Sequence, residues 1–419
     1  MIKVKNSFIK SILVLATGSI FSQLITVIVA PLLTRIFTPH ELGIYTYVLS
    51  IASIFMAVIN GRYDMSIVSE EQEEYIYPLI KLSIIIGIIT SIIVTIGYYI
   101  YIRFISSQYE YYNVTIIFMF LLLLSYSINN VLVSYNNRNK DYKIMTSVYV
   151  VRTLFQNLTS IIVGILNLGI SGLLFSYCVG QYIGLNKQAE SLKKYRINLK
   201  KVTFRELFYV LKRHYKQPLF SAPAIFFNSF SYSSITIFLE ILFGMSAVGY
   251  YSISVRLLGL PLSIISGNIS KVFFQEASKE YNSTGQFYKS FKKTFKFQLC
   301  LAIPMVIGMI FLAPKVCAVF FGEDWQISGR YVSILAIMFG FKFIVTSLSP
   351  GLIIANKQKN EFFLQGIFAI ASIFSFIITK FLKLSIEYYL ILISITFSIG
   401  YLVYLISIFI YSKKSVNIK

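Results

Sequence analysis

Twelve long apolar runs, each bounded by charged or turn-forming clusters, leave this chain one environment in which to fold. They fall near 11–33, 42–60, 79–102, 114–135, 146–166, 169–186, 218–242, 246–269, 297–321, 330–351, 362–379 and 385–411. At about 1.5 Å of rise per residue each can cross about 30 Å of hydrocarbon, with 169–186 marginal. None alternates with period two, so the runs predict helices and not barrel strands. Charged residues make up 13% of the chain, against about 25% in soluble domains. Too few solvated side chains remain to cover a water-facing surface, which excludes a soluble enzyme, a nucleic-acid-binding domain and a disordered chain. The expected fold class is all-α, a polytopic membrane protein of about twelve transmembrane helices. The basic N-terminus precedes an apolar stretch from Ser11 to Leu33, too long for a signal-peptide core and read as the first permanent helix.

The chain carries 38 Lys and Arg against 17 Asp and Glu. With the N-terminus placed in the cytoplasm, 29 of these cations fall on cytoplasmic segments and 6 on outer loops. That asymmetry predicts a multi-pass protein of a bacterial inner membrane with both termini cytoplasmic. The basic excess is therefore an orientation signal and needs no nucleic-acid partner. The longest connection, 187–217, holds Lys193, Lys194, Arg196, Lys200, Lys201, Arg205, Lys212 and Arg213. A basic mid-chain linker suggests two six-helix lobes, residues 1–206 with the linker and residues 207–419, and suits anionic lipid headgroups. At an offset of 206 residues Phe37, Gly43 and Tyr45 fall on Phe243, Gly249 and Tyr251, and Ser22, Gln23 and Thr26 fall on Asn228, Ser229 and Tyr232. Six helices per half is an even number, so the repeat is parallel, about an axis along the membrane normal. The acidic run Glu70–Glu74 reads as a solvated loop. Tyr98, Tyr99, Tyr101, Tyr109, Tyr111 and Tyr112 read as an aromatic belt at the outer face.

Ionisable groups in hydrocarbon cost about 2.5–3.5 kcal/mol each on insertion scales, so those retained mark a cavity or a paired site. Arg256 and Lys342 lie near the middle of the eighth and tenth spans, Arg152 near the cytoplasmic end of the fifth, and Arg35 and Arg62 beside span ends. Together they form the candidate set for an anionic headgroup, since a guanidinium meets phosphate oxygens bidentately. Glu240, the acid within a span, and Asp64, close after Arg62, are candidates for ion coupling or for an ion pair with the deep cations. Gln23, Ser22, Asn228 and Ser231 lie on polar faces of the first and seventh helices. Such faces turn toward a helix contact or a cavity, where hydroxyls and amides suit a sugar.

Cys178, Cys300 and Cys317 are far apart, and His40 and His214 stand alone in predicted loops. No metal site or catalytic dyad follows from them. No nucleotide-binding loop is present, every predicted outer loop is short, against a glycan polymerase, and neither His lies in a span, against a membrane acyltransferase; the chain is expected to be no enzyme and to hold no cofactor. Energy for transport then comes from a proton or sodium gradient or from a downstream reaction.

The segment PLLTRIFTPHELGIYTYVLSIAS followed by GRYDMSIV resembles the start of polysaccharide-transporter proteins. These are O-antigen flippases of the Wzx type in the multidrug/oligosaccharidyl-lipid/polysaccharide exporter superfamily. SAVGYYSISVRLLGLPLSIISGNISKVFFQEASKEY and FGEDWQISGRYVSILA resemble the family's eighth-helix and ninth-to-tenth-helix signatures. The resemblance implies flipping of undecaprenyl-pyrophosphate-linked oligosaccharide repeat units to the outer leaflet, by alternating access through a cationic central cavity. It implies lipid-linked oligosaccharide, membrane lipids and polysaccharide polymerase machinery as partners, and it gives Arg256 the greatest weight. The runner-up is a cation-coupled multidrug exporter of the same superfamily. Such exporters generally use an N-lobe acid, and Ser11–Leu33 contains none.

Overall fold

The computed structural model describes residues 2–104, 112–194, 202–355 and 357–414, with side chains from Thr17 onward except at 112, 193, 194 and 358. Tyr109, Tyr111, Arg196, Lys200 and Lys201 lie outside the described residues. Among the described residues there are helices and turns but no strand. Twelve helices account for the apolar runs: α1 Ile2–Ile36, α2 Pro39–Met56, α3 Ile76–Phe104, α4 Tyr112–Arg138, α5 Tyr142–Ile165, α6 Gly169–Tyr182, α7 Ala222–Phe243, α8 Met245–Pro261, α9 Tyr288–Phe321, α10 Gln326–Leu348, α11 Gln358–Leu382 and α12 Ile386–Lys413. The protein is an all-α polytopic membrane protein.

Among the described residues ten helices are long and apolar enough to cross a membrane, and α2 and α6 fall outside that set. The sixth run was expected to span 169–186. Its helix stops at Tyr182, because Ile183 turns extended and Gly184 adopts φ +78°, left-handed backbone that suits glycine. The eighth was expected to end near 269. It instead continues through a π-helical turn, Leu262–Ser266, into the helix Gly267–Thr284. Pro261 heads that turn; its missing N–H and its ring break the regular hydrogen-bond ladder there. The break between α1 and α2 is written locally. Thr38 and Glu41 cap each other, with Thr38 N–H donating to Glu41 Oε2 at 2.9 Å and Glu41 N–H to Thr38 Oγ1 at 3.3 Å.

The chain forms two compact units. The first is Met1–Val29 with Tyr47–Ser233, and the second is Ala30–Thr46 with Ser234–Lys419. The sequence reading divides the chain at 206/207; by packing, the division falls inside α7, and the corner joining α1 to α2 goes with the second unit.

In the second unit α10 is the central helix, packed by α8, α9 and α12. The α1–α2 corner belongs to this unit for a steric reason. A Cβ on Gly43 would stand 1.9 Å from the carbonyl oxygen of Met245, and one on Gly249 would stand 1.9 Å from that of Pro39. Pro39 and Met245, like Gly43 and Gly249, are related by the offset of 206. The contact is thus reciprocal, as a two-fold repeat requires. Trp325, the one tryptophan in the chain, donates its Nε1–H to Thr34 O at 3.0 Å, and Thr34 Oγ1 donates to Phe321 O at 3.1 Å.

In the first unit the acidic run departs from the solvated loop expected of it. Glu70 is buried. Its carboxylate accepts from Arg213 Nε and Nη2 at 3.1 Å each, contacts His214 Nε2 at 2.8 Å and accepts from Gln72 N–H at 3.1 Å. His214 is therefore not alone in a loop. Arg138 Nη1 donates to Ile67 O at 3.1 Å and to Glu70 O, and its Nη2 meets Glu73 Oε1 at 2.8 Å. The linker was expected to be a basic connection, and here it contains a capped helix, Phe204–Arg213, that places Val210 and Leu207 against a core of Tyr63, Ile67, Ile76 and Leu79. Burial pushes the Glu70 pKa up, but the Gln72 N–H, the His214 hydrogen bond and the Arg213 charge bring it below the usual carboxylate range.

Glu70→Gln should therefore cost about 1–3 kcal/mol, measured as a lower midpoint of thermal unfolding in detergent at pH 7. Most of that cost comes from hydrogen bonds, since Arg213 is partly exposed and the ion pair is screened. A depressed carboxylate stabilises above its unfolded value, about 4.3, and the stabilisation fades as pH falls through the lower folded value. Wild type and variant should therefore converge in stability in acid.

Candidate functional site

Of the residues expected to meet an anionic headgroup, Arg256 and Lys342 stand in the second unit on α8 and α10. These helices run parallel, and their register is fixed by hydrogen bonds at both ends. Ser254 Oγ donates to Ser328 O at 2.8 Å, and Ser266 Oγ donates to Phe343 O at 2.8 Å. Arg256 lies just after Ser254, and Lys342 just before Phe343. At about 1.5 Å per residue the two backbones are separated by roughly 15 Å along the helix axes. They stand at different heights along the helix pair. Lys342 Nζ lies 5.3 Å from the centre of the Phe339 ring, one turn earlier on its own helix. Arg35 is exposed at the end of α1. Glu240 makes no ion pair with another described residue, so the pairing considered for it with Arg256 or Lys342 is not formed.

Arg152, Arg62 and Asp64 belong to the first unit. Arg152 is buried on α5; its Nε donates to Ile183 O at 2.8 Å and its Nη2 to Gln188 Oε1 at 3.4 Å. It therefore holds the carbonyl at the end of α6, where the chain leaves helical geometry. Arg62 has φ +63°, left-handed backbone in a residue with a side chain, and its Nε is buried with no hydrogen-bond partner among the described residues. Left-handed non-glycine residues cost of order 1–3 kcal/mol and gather at functional sites. Asp64 is buried in the first turn of the short helix Tyr63–Ser69. Burial raises its pKa, and the Arg62 charge and backbone N–H groups only partly oppose this.

The four polar candidates for sugar contact divide. Ser22 and Ser231 are fully buried, and Ser231 Oγ donates to Phe227 O at 2.6 Å within its own helix. Gln23 and Asn228 are half-buried.

Sequence reasoning passed over one polar cluster beside the Arg62 turn. Asn60 Nδ2 donates to Ser83 O at 3.0 Å and to Ser127 Oγ at 2.9 Å, and Asn130 Nδ2 donates to Met56 O at 3.0 Å. Asn60 stands immediately before the quoted segment GRYDMSIV, which was the available signal.

Comparison with known proteins bears on what such an arrangement of helices and cations is for. Residues 32–330 match the family model described as polysaccharide biosynthesis protein. The chain belongs to this family. Among curated proteins it is similar to the capsular polysaccharide biosynthesis protein CapF of Staphylococcus aureus, at 24% identity over 415 residues, covering 95% of this chain and 97% of that one. Among solved structures its fold is similar to the lipid II flippase MurJ in an inward closed conformation, with a TM-score of 0.70, 17% identity and coverage of 96% and 90%. It is also similar to a multidrug resistance MATE family transporter of the MOP superfamily, in an inward-facing conformation, with a TM-score of 0.66, 15% identity and coverage of 95% and 93%. The polysaccharide transporter resemblance read from the sequence therefore holds. The fold is similar to those of a lipid II flippase and a MATE transporter, and cations inside the spans are the residues to explain.

Proposed function

We propose that this protein flips undecaprenyl-pyrophosphate-linked oligosaccharide repeat units from the cytoplasmic to the outer leaflet of a bacterial inner membrane, for O-antigen or capsule assembly. It transports by alternating access and is not an enzyme, and both termini are cytoplasmic. The observation that carries the reading is the retention of Arg256 and Lys342 inside the spans of a polysaccharide-family chain, at a cost of about 2.5–3.5 kcal/mol each. Two cations at different depths suit a substrate whose pyrophosphate must cross while its polyprenyl tail stays in lipid. The charge is handed from one station of the cationic central cavity to the next. Arg152, Arg62 and Arg35 complete the cationic set, and Gln23, Ser22, Asn228 and Ser231 are the polar candidates for sugar hydroxyls. Asp64, buried beside Arg62, is the stronger ion-coupling candidate, and Glu240 the weaker. Polysaccharide polymerase machinery is the expected recipient of the product.

The MATE-like fold supports the runner-up, a cation-coupled drug exporter, as far as fold alone goes. The absence of any acid from α1 and the positive sign of the deep charges disfavour it. Binding to the purified protein separates the two. A short-chain prenyl-pyrophosphate disaccharide should raise the thermal unfolding midpoint, and ethidium should not. The reverse pattern would replace the flippase by the exporter.

A further inference from the structure

Helical spacing sorts the linker helix Phe204–Arg213 into distinct faces. Leu207 and Val210 pack into the core of Tyr63, Ile67, Ile76 and Leu79. Phe204, Phe208 and Leu211 recur at i, i+4 and i+7 on a second face, and all three are exposed. Arg205 and Lys212, also at i and i+7, form an exposed basic row beside that stripe. Lys212 Nζ lies 4.6 Å from the centre of the Phe208 ring, which joins the two faces. The one acid of the helix, Glu206, is engaged in its cap, where Oε2 accepts from Thr203 N–H at 2.7 Å and from Thr203 Oγ1 at 2.8 Å. Tyr215 and Lys216, just past the helix end, are exposed as well. The helix is held in place from both ends. Lys81 Nζ donates to Val202 O at 2.9 Å, Tyr63 Oη donates to Leu211 O at 3.2 Å, and Glu70 holds Arg213. Ile76, Leu79 and Lys81 lie in the first two turns of α3, a helix long and apolar enough to cross a membrane. The exposed stripe therefore stands at the end of a spanning helix, the level at which headgroups meet acyl chains.

We propose that this helix is an interfacial anchor that binds anionic phospholipid. Phe204, Phe208 and Leu211 enter the edge of the acyl layer, and Arg205 and Lys212, with Lys216 beyond them, meet lipid phosphates. Helices with an apolar stripe beside a basic one lie in the interface by apolar burial and by attraction to anionic headgroups. The charge decides the partner. The side chains flanking the stripe are cations and the acid of the helix is taken up in its cap, so an anionic surface complements it and a zwitterionic one does so less. By composition every Lys and Arg of the linker suits such headgroups. The fold is more selective: Arg213 is spent on Glu70, and Arg205 and Lys212 are presented beside the stripe. The inference rests on the chain spanning a membrane and not on what it transports.

The test uses the full-length purified protein. In detergent, added phosphatidylglycerol should raise the unfolding midpoint in a saturable way, and phosphatidylcholine should do so far less. Arg205→Gln combined with Lys212→Gln should weaken the phosphatidylglycerol effect at least about tenfold. The midpoint without added lipid should not change, because both side chains are exposed. Depth is read separately in proteoliposomes. Phe208→Trp places an indole on the stripe, and its emission beyond that of wild type should be quenched by phospholipid brominated in the acyl chains and should resist acrylamide. Equal effects of the two lipids would overturn the proposal, as would a phosphatidylglycerol effect that the double variant keeps in full. An added indole that is open to acrylamide and indifferent to brominated lipid would also overturn it, and would leave the stripe to a protein partner.

Discussion

Gly249→Val should abolish transport and expose Trp325. The Cβ that valine brings would need to occupy a point 1.9 Å from the Pro39 carbonyl oxygen, and that atom is backbone. No side-chain rotation relieves such a contact, so the α1–α2 corner must lift by more than an ångström. Overpacking of this kind costs about 1–3 kcal/mol or more. The same corner carries Thr34, whose carbonyl accepts the Trp325 Nε1–H. Because Trp325 is the one tryptophan and is buried, its fluorescence reports the corner without labelling. Acrylamide quenching should rise in Gly249→Val and, by the reciprocal geometry, in Gly43→Val. Gly308→Ala is the control: a Cβ there meets nothing within 4 Å, and both quenching and transport should match wild type. Unchanged quenching in both valine variants would show that the corner is not held by this contact.

Arg256→Gln and Lys342→Met should each cut glycolipid flipping at least about tenfold, equivalent to about 1.4 kcal/mol of barrier, with a larger loss in the double variant. Stability distinguishes this from a structural role. A buried charge held in an ion pair loses about 3–5 kcal/mol when its partner is left alone. A cation kept in hydrocarbon for its substrate frees the protein of an insertion cost when removed. The unfolding midpoint of Arg256→Gln should therefore equal or exceed that of wild type while transport falls. Variants that unfold early and flip at a normal rate per folded molecule would make these cations structural.

The helices were readable because hydropathy and caps are local properties: Thr38 and Glu41 mark the break between α1 and α2 within four residues. The repeat was readable for the same reason, since Gly43 and Gly249 each need the absence of a side chain. What each helix faces was not. α9 and α10 are both apolar, yet most of the α10 stretch is buried inside the protein and little of the α9 stretch is, and hydropathy is blind to whether an apolar face meets lipid or another helix. Glu70 misled for a different reason. A run of acids next to a loop reads as solvated, and its partners Arg213 and His214 lie more than a hundred residues away on the linker.

The most direct measurement is leaflet transfer of a fluorescently labelled polyprenyl-pyrophosphate oligosaccharide in proteoliposomes, read by loss of signal to a membrane-impermeant quencher. Wild type should bring the labelled lipid to the opposite leaflet faster than empty vesicles, and Arg256→Gln with Lys342→Met should return the rate toward the empty-vesicle value. Wild-type vesicles that move no glycolipid but expel ethidium against a proton or sodium gradient would contradict the account.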